Sequence, residues 1–140
     1  MKKIFVIDWC MVIAFIATTA TGFGMHIAGH GNDHWFWEVW AIVHTLAATS
    51  FVVAGVMHVK THWGWYKAWL KNGLDNKSRV TVILSIIYAV VLISGVALFC
   101  IKGANSHLGI LHYKIGILLT AISIGHIVKR IPMLRKSLKN

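Results

Sequence analysis

Four apolar stretches, each about 20 residues or longer, constrain the fold of this chain more than any other feature, because about 20 residues cross a lipid bilayer as a helix. They carry few charged residues and no alternation of polar and apolar positions, which favours helices over the strands of a β-barrel. The sequence therefore predicts an all-α membrane protein built as a bundle of four transmembrane helices. The predicted spans are residues 4–28, 35–59, 80–101 and 108–128.

The size and composition agree with a single membrane domain. The chain has 140 residues, enough for one domain covering residues 1–140. Charged residues make up 13 % of the chain, whereas soluble domains usually contain about 25 %, which argues against a water-soluble globule. The first stretch is too long for the apolar part of a signal peptide and lacks its cleavage pattern, so we expect it to remain as a helix.

The basic residues predict the orientation in the membrane. All but two of the 14 lysines and arginines, Lys102 and Lys114, precede the first span, lie between the second and third, or follow the fourth. The positive-inside rule therefore places both termini in the cytoplasm. We expect a bacterial inner (cytoplasmic) membrane protein in contact with lipid. Nucleic-acid binding is not expected, because the basic residues do not form one polar face. Residues 62–74, rich in Trp, Leu and Lys, are predicted to lie along the inner membrane surface.

Two pairs of histidines show the same spacing. His44 and His58 in the second span, and His112 and His126 in the fourth, are each 14 positions apart. Fourteen positions fall about 40° short of four helical turns, so both members of a pair lie on one helix face, about 21 Å apart. The two spans run in the same direction, so His44 faces His112 near the outer surface and His58 faces His126 near the inner surface. Facing imidazoles can ligate one haem iron from both sides, which predicts two haem b sites.

Two other interpretations of these histidines stay open. They can be unrelated core histidines that hydrogen-bond between helices, although the repeated spacing favours haem. Zinc is a weaker alternative, since its ligands cluster at one tetrahedral site and the pairs lie about two-thirds of a bilayer apart. Gly22 and Gly95, on the neighbouring spans, leave room either for a bulky cofactor ring or for ordinary helix packing.

Three further polar residues are candidates for a quinone or proton-exchange site. Asp8 lies inside the inner end of the first span, where a carboxylate needs water or a partner such as an interfacial Lys or Arg. His62 follows His58 by four positions and shares its side if the helix continues. His26 lies at the outer end of the first span, in a histidine-rich segment that a hydrated loop also explains.

The tryptophan, histidine and glycine positions resemble those of a known family. They are similar to the small four-helix cytochrome b-like proteins called flavinylation-associated cytochromes, and the paired histidines also resemble the haem-bearing bundle of the b subunit of quinol–cytochrome c reductase. The resemblance covers nearly the whole chain. It implies haem b, transmembrane electron transfer and an outer partner that carries flavin or iron–sulfur. The residues concerned are Trp40, His44, His58, His62, Trp63, Leu111, His112, Gly116 and His126.

The expected function is that of a di-haem b-type membrane cytochrome. It would carry electrons across the bilayer between the quinone pool and a redox partner containing flavin, iron–sulfur or haem, as an electron-transfer subunit of an oxidoreductase. The chain has no nucleotide-binding G-x-G-x-x-G motif after a strand, so direct reduction by a nicotinamide is not expected. One alternative is a stand-alone haem oxidoreductase, such as a superoxide oxidase or a ferric reductase. The other is a structural membrane subunit without haem.

Overall fold

The computed structural model describes residues 3–31, 33–73, 78–101 and 106–138. These residues form five α-helices and no strand, so the predicted all-α fold is confirmed. Lys2, Lys77, Lys102 and Lys139, which contributed to the predicted orientation, lie outside the described residues. The helices are α1 (Lys3–Ala28), α2 (His34–Thr61), α3 (Trp63–Asn72), α4 (Arg79–Leu98) and α5 (His107–Ser137).

Four of the helices, α1, α2, α4 and α5, are long and apolar enough to cross a membrane. Many of their large apolar side chains are more than half exposed, which is stable in lipid because lipid tails are as apolar as the side chains. The chain is therefore a membrane protein with four spans, as predicted. Examples of the exposed side chains are Ile13, Ile16, Ile42, Leu46 and Ile93.

The helix ends follow local sequence signals. Asp33 caps α2, since its Oδ1 accepts a hydrogen bond from the backbone N–H of Phe36 at 3.2 Å. The short helix α3 ends at Gly73, whose φ of +78° lies in the left-handed region that glycine adopts readily. Helix α5 continues past the predicted end of its span at residue 128 to Ser137. Basic residues end the apolar stretch there, but they are good helix formers, so the helix continues beyond it.

Contacts at the two ends of the bundle define the directions of the helices. Asp8, near the start of α1, contacts His58, near the end of α2. His26, near the end of α1, stacks on Tyr113, near the start of α5. Helix α1 is therefore antiparallel to α2 and α5. Helices α2 and α5 run parallel to each other, as predicted for the two spans that carry the paired histidines. We call the end with Asp8 the inner end and the end with His26 the outer end, following the expected orientation.

The centre of the bundle is packed with apolar side chains from all four spans. Phe15 of α1, Phe51 of α2 and Leu119 of α5 form its buried core, and Tyr88 of α4 packs against them. The rings of Phe51 and Tyr88 meet edge to face, with centroids 5.3 Å apart. Phe51 lies halfway between the two histidines of its helix in sequence, and Leu119 does so in α5. This central core therefore separates an outer from an inner histidine level.

Gly55 provides the space in which the Tyr88 ring lies, and it gives a test of this packing. A Cβ at Gly55 would overlap the Tyr88 hydroxyl and lie 2.8 Å from Cζ of that ring. Alanine normally stabilises a helix interior by about 0.5–1 kcal/mol relative to glycine, but overpacking costs about 1–3 kcal/mol. We therefore expect Gly55→Ala to lower the Tm of the purified protein. Gly64→Ala, where no atom lies within 4 Å of the added Cβ, is the control, and equal Tm values for the two variants would contradict the packing.

Candidate cofactor sites

At the outer end, His44 of α2 and His112 of α5 face each other between the helices. Their ring centroids lie 6.4 Å apart, with an angle of 75° between the ring planes. A bond between a metal and an imidazole nitrogen is about 2 Å long. Since that nitrogen lies about 1 Å from the ring centroid, two rings that ligate one metal from opposite sides have centroids about 6 Å apart. The observed separation therefore fits two axial ligands of one iron.

Hydroxyl groups hold both of these rings. Nδ1 of His44 lies 3.1 Å from Oγ1 of Thr21, and Nδ1 of His112 lies 2.8 Å from Oγ of Ser94. Each hydroxyl donates its only proton to a backbone carbonyl one turn earlier in its own helix, at 2.8 Å from Thr21 and 3.0 Å from Ser94. With its proton on the carbonyl, the hydroxyl oxygen is left to accept from the ring. We therefore assign the proton to Nδ1 of each histidine, which leaves Nε2 with a free lone pair, the form that ligates a metal.

Gly22 and Gly95 come directly after these two hydroxyl residues and contact the same rings. A Cβ at Gly22 would lie 3.2 Å from Cε1 of His44, and a Cβ at Gly95 would lie 3.2 Å from Cε1 of His112. The glycines therefore let each histidine ring lie close against the neighbouring helix. Sequence reasoning proposed space for a cofactor or for helix packing at these positions, and did not identify the histidine ring as the group that uses it.

A cavity of about 800 Å³ lies between the helices at the outer end. Its volume falls in the range of small-molecule and cofactor pockets, about 300–1,000 Å³. Most of its lining is apolar, and His44, His112 and His26 are the histidines among it. Thus a large apolar space with two facing imidazole rings exists where the sequence predicts the outer haem.

At the inner end, three polar side chains meet. Nδ1 of His58 lies 2.8 Å from Oδ1 of Asp8, whose side chain is only 13 % exposed. Nε2 of His62 lies 3.5 Å from the same oxygen. A carboxylate can only accept, so Nδ1 of His58 donates and its Nε2 is again free for a metal. Sequence reasoning named Lys or Arg as the interfacial partner of Asp8, whereas the structure gives it His58 and His62.

His126 lies four turns beyond His112 on α5, at the same level as His58 on the parallel helix α2. It lines a cavity of about 280 Å³ together with Thr81, Lys129 and Arg130. Within the described part of the chain, no side chain hydrogen-bonds to its ring. The fourth predicted ligand therefore lies at the expected level, in a basic environment, without the partner on Nδ1 that the other three have.

The same arrangement occurs in both halves of the chain. A hydroxyl residue and a glycine, Thr21–Gly22 in α1 and Ser94–Gly95 in α4, support the outer histidine of the next long helix. Thirteen positions before each hydroxyl residue stand Asp8 and Thr81. Asp8 holds the inner histidine of its half, and Thr81 lines the cavity beside the inner histidine of the other. Only one half therefore has a carboxylate at this position.

The three candidates for a quinone or proton site are divided between the two ends. Asp8 and His62 come together at the inner end, as described. His26 lies at the outer end, where its ring stacks on Tyr113 with centroids 3.7 Å apart, and meets His30 edge to face at 4.6 Å. Both His26 and Tyr113 line the large cavity. Each end therefore has polar groups beside a predicted haem position.

Comparisons with family models, with curated proteins and with solved structures find no match for this chain. The family resemblance given above therefore rests on the motifs alone. The fold is that of a four-span helical membrane protein.

Proposed function

We propose that this protein is a di-haem b-type membrane cytochrome that carries electrons across the bilayer. The observation that carries the proposal is the state of three histidines at the predicted ligand positions. Nδ1 of His44, His112 and His58 lies 3.1, 2.8 and 2.8 Å from a side-chain oxygen, which suits a proton on Nδ1 and leaves Nε2 for a metal. A single core histidine often hydrogen-bonds in this way. Three at a repeated spacing, two of them facing each other at 6.4 Å, match the needs of paired axial ligation.

In this proposal His44 and His112 hold the outer haem, and His58 and His126 hold the inner haem. A bound haem supplies the one-electron redox chemistry. The chain supplies position, since the hydrogen bond on Nδ1 fixes the ring orientation and its tautomer. The central core around Phe51 keeps the two levels about 21 Å apart along the helices.

We further propose that the protein resides in the bacterial inner membrane and exchanges electrons with the quinone pool and with a redox protein carrying flavin, iron–sulfur or haem. At the inner end, Asp8 and His62 offer hydrogen-bonding groups for a quinone head group beside the proposed haem. His26 and Tyr113 offer a competing location at the outer end. Addition of a quinol to the purified protein is the direct check, and reduction of both haems is expected.

The main experiment counts the haems. The purified protein is expected to contain two haems b per chain by the pyridine haemochromogen assay, both extractable with acid acetone because the chain has no C-x-x-C-H motif for covalent attachment. A chain that binds no haem when haem is supplied during expression would refute the proposal and favour a structural subunit.

The same preparation tests a second candidate cofactor for the inner end, a divalent metal ion in place of haem. The ligand atoms of Asp8, His58 and His62 lie within 4.8 Å of one another, and two imidazoles with a carboxylate suit a divalent transition metal such as zinc. One haem and one zinc ion per chain, with the zinc lost in His62→Ala, would assign the inner end to such a metal. Two haems and no stoichiometric zinc would exclude it.

A further inference from the structure

The two ends of the bundle differ in the group that accepts the proton of the histidine ring. At the outer end both acceptors are neutral hydroxyls, those of Thr21 and Ser94. At the inner end the acceptor of His58 is the carboxylate of Asp8, at 2.8 Å. Hydrogen bonds with an ionised partner are roughly twice as strong as neutral ones. The ring of His58 is therefore held by a stronger acceptor than either outer ring.

A second histidine lies beside the carboxylate. His62 lies one turn after His58 on α2, with its ring centroid 4.5 Å from that of His58. Its Nε2 is 3.5 Å from Oδ1 of Asp8, the same oxygen that accepts from His58. Nε2 of His62 makes no hydrogen bond within the described residues, so the hydrogen bond to Oδ1 of Asp8 belongs to His58, and His62 lies beside the carboxylate at 3.5 Å.

We propose that Asp8 is a positioning residue that acts through His58 to lower the reduction potential of the inner haem, an inference that rests on the proposed function. A carboxylate that accepts from Nδ1 makes the imidazole a more basic ligand. A more basic axial ligand stabilises oxidised iron more than reduced iron, and axial ligands with their hydrogen bonds are established levers on haem potential. With haem bound, Asp8 would therefore stabilise the oxidised form through its hydrogen bond to His58.

Basic residues on the opposite side of the inner level would raise the reduction potential of the inner haem. Lys129 and Arg130 line the cavity beside His126, and positive charge near an iron favours its reduced form. The reduction potential of the inner haem therefore depends on two opposing contributions, that of Asp8 and that of the basic residues. The contribution of Asp8 is isolated by a substitution that removes its charge and leaves the basic residues unchanged.

The experiment is an optical redox titration of the full-length, haem-loaded protein, comparing wild type with Asp8→Asn. Asparagine has nearly the same shape and its Oδ1 still accepts from Nδ1 of His58, so mainly the charge is lost. At a fixed ambient potential, the ratio of reduced to oxidised inner haem is expected to rise at least tenfold, which is about 59 mV for one electron. The outer haem should not shift. An unchanged inner haem, or an equal shift of both haems, would overturn the inference.

Two further variants keep the test decisive. Thr21→Val removes the neutral acceptor of His44 and is the matched control, with a smaller shift expected, confined to the outer haem. If the Asp8→Asn variant does not bind the inner haem, the His62→Ala variant is titrated instead. Removal of His62 takes away a polar ring 3.5 Å from the carboxylate, so the negative charge of Asp8 acts on His58 with less compensation. The inner haem is then expected to become harder to reduce, and an upward shift or none would overturn the inference. A wild-type chain without haem would instead refute the proposed function.

Discussion

Replacement of either His44 or His112 with alanine is expected to remove one haem, the same one in both variants, and to leave the other bound. The rings face each other at 6.4 Å, and a low-spin haem held from both sides depends on both ligands. The haemochromogen assay should fall from two haems to one per chain. The difference spectrum, reduced minus oxidised, should lose the same component in both variants.

The control for this result is His34→Ala. The side chain of His34 is 81 % exposed and pairs with Glu38 at 3.5 Å, so its removal should leave both haems in place. The outcome that would contradict the pairing is loss of the same spectral component in His44→Ala and His126→Ala. That result would mean that α2 and α5 do not align in the way the structure places them.

Replacement of either His58 or His126 with alanine is expected to remove the other haem, again to one per chain, through the same dependence on two ligands. The component lost should be the one that survives in His44→Ala. The double variant His44→Ala/His58→Ala should then bind no haem, whereas His58→Ala/His126→Ala should still bind one.

A retained inner haem in His126→Ala would contradict the assignment of the inner site. It would indicate that a ligand other than His126 completes the coordination opposite His58. His62→Ala is the matched control, because His62 lies one turn from His58 but is not proposed as an iron ligand. Its haem content should remain at two per chain.

The fold was largely predictable because lipid places strict demands on a sequence. A span must be long, apolar and internally hydrogen-bonded, so the four stretches fixed the four helices to within a few residues at most ends. The exception is the end of α5, which continues to Ser137. Beyond the apolar stretch, hydropathy no longer distinguishes a helix from a loop, and only helix propensity remains as a signal.

The histidine levels were predictable for a similar reason, since helical periodicity fixes both the face and the depth of a side chain. The partners of the rings were harder to predict. Thr21 and Ser94 contact the histidines only because α1 and α4 present those faces to α2 and α5, and the rotation of one helix against another is set by packing. The repeated pair of a hydroxyl residue and a glycine was a signal, but its meaning depended on that rotation.

The partners of Asp8 were also hard to predict, because they depend on how the helices pack. The sequence indicated that a carboxylate inside a span needs a partner, and the basic residues at the interface offered several candidates. Its actual partners, His58 and His62, lie on the next helix and are brought to it by the antiparallel packing of α1 and α2. The pattern of charged residues does not rank a histidine above a lysine as the partner of this carboxylate.

The central core of Phe15, Phe51, Tyr88 and Leu119 has a consequence for energy conversion. Apolar side chains dominate this layer, so the described residues offer few polar groups to a chain of water molecules along the bundle axis. In the proposed cytochrome, an electron that crosses between the two levels without a proton would move uncompensated charge through the membrane and make turnover electrogenic. Moving one elementary charge across 100 mV involves about 2.3 kcal/mol, so the membrane voltage would oppose transfer in one direction and assist it in the other.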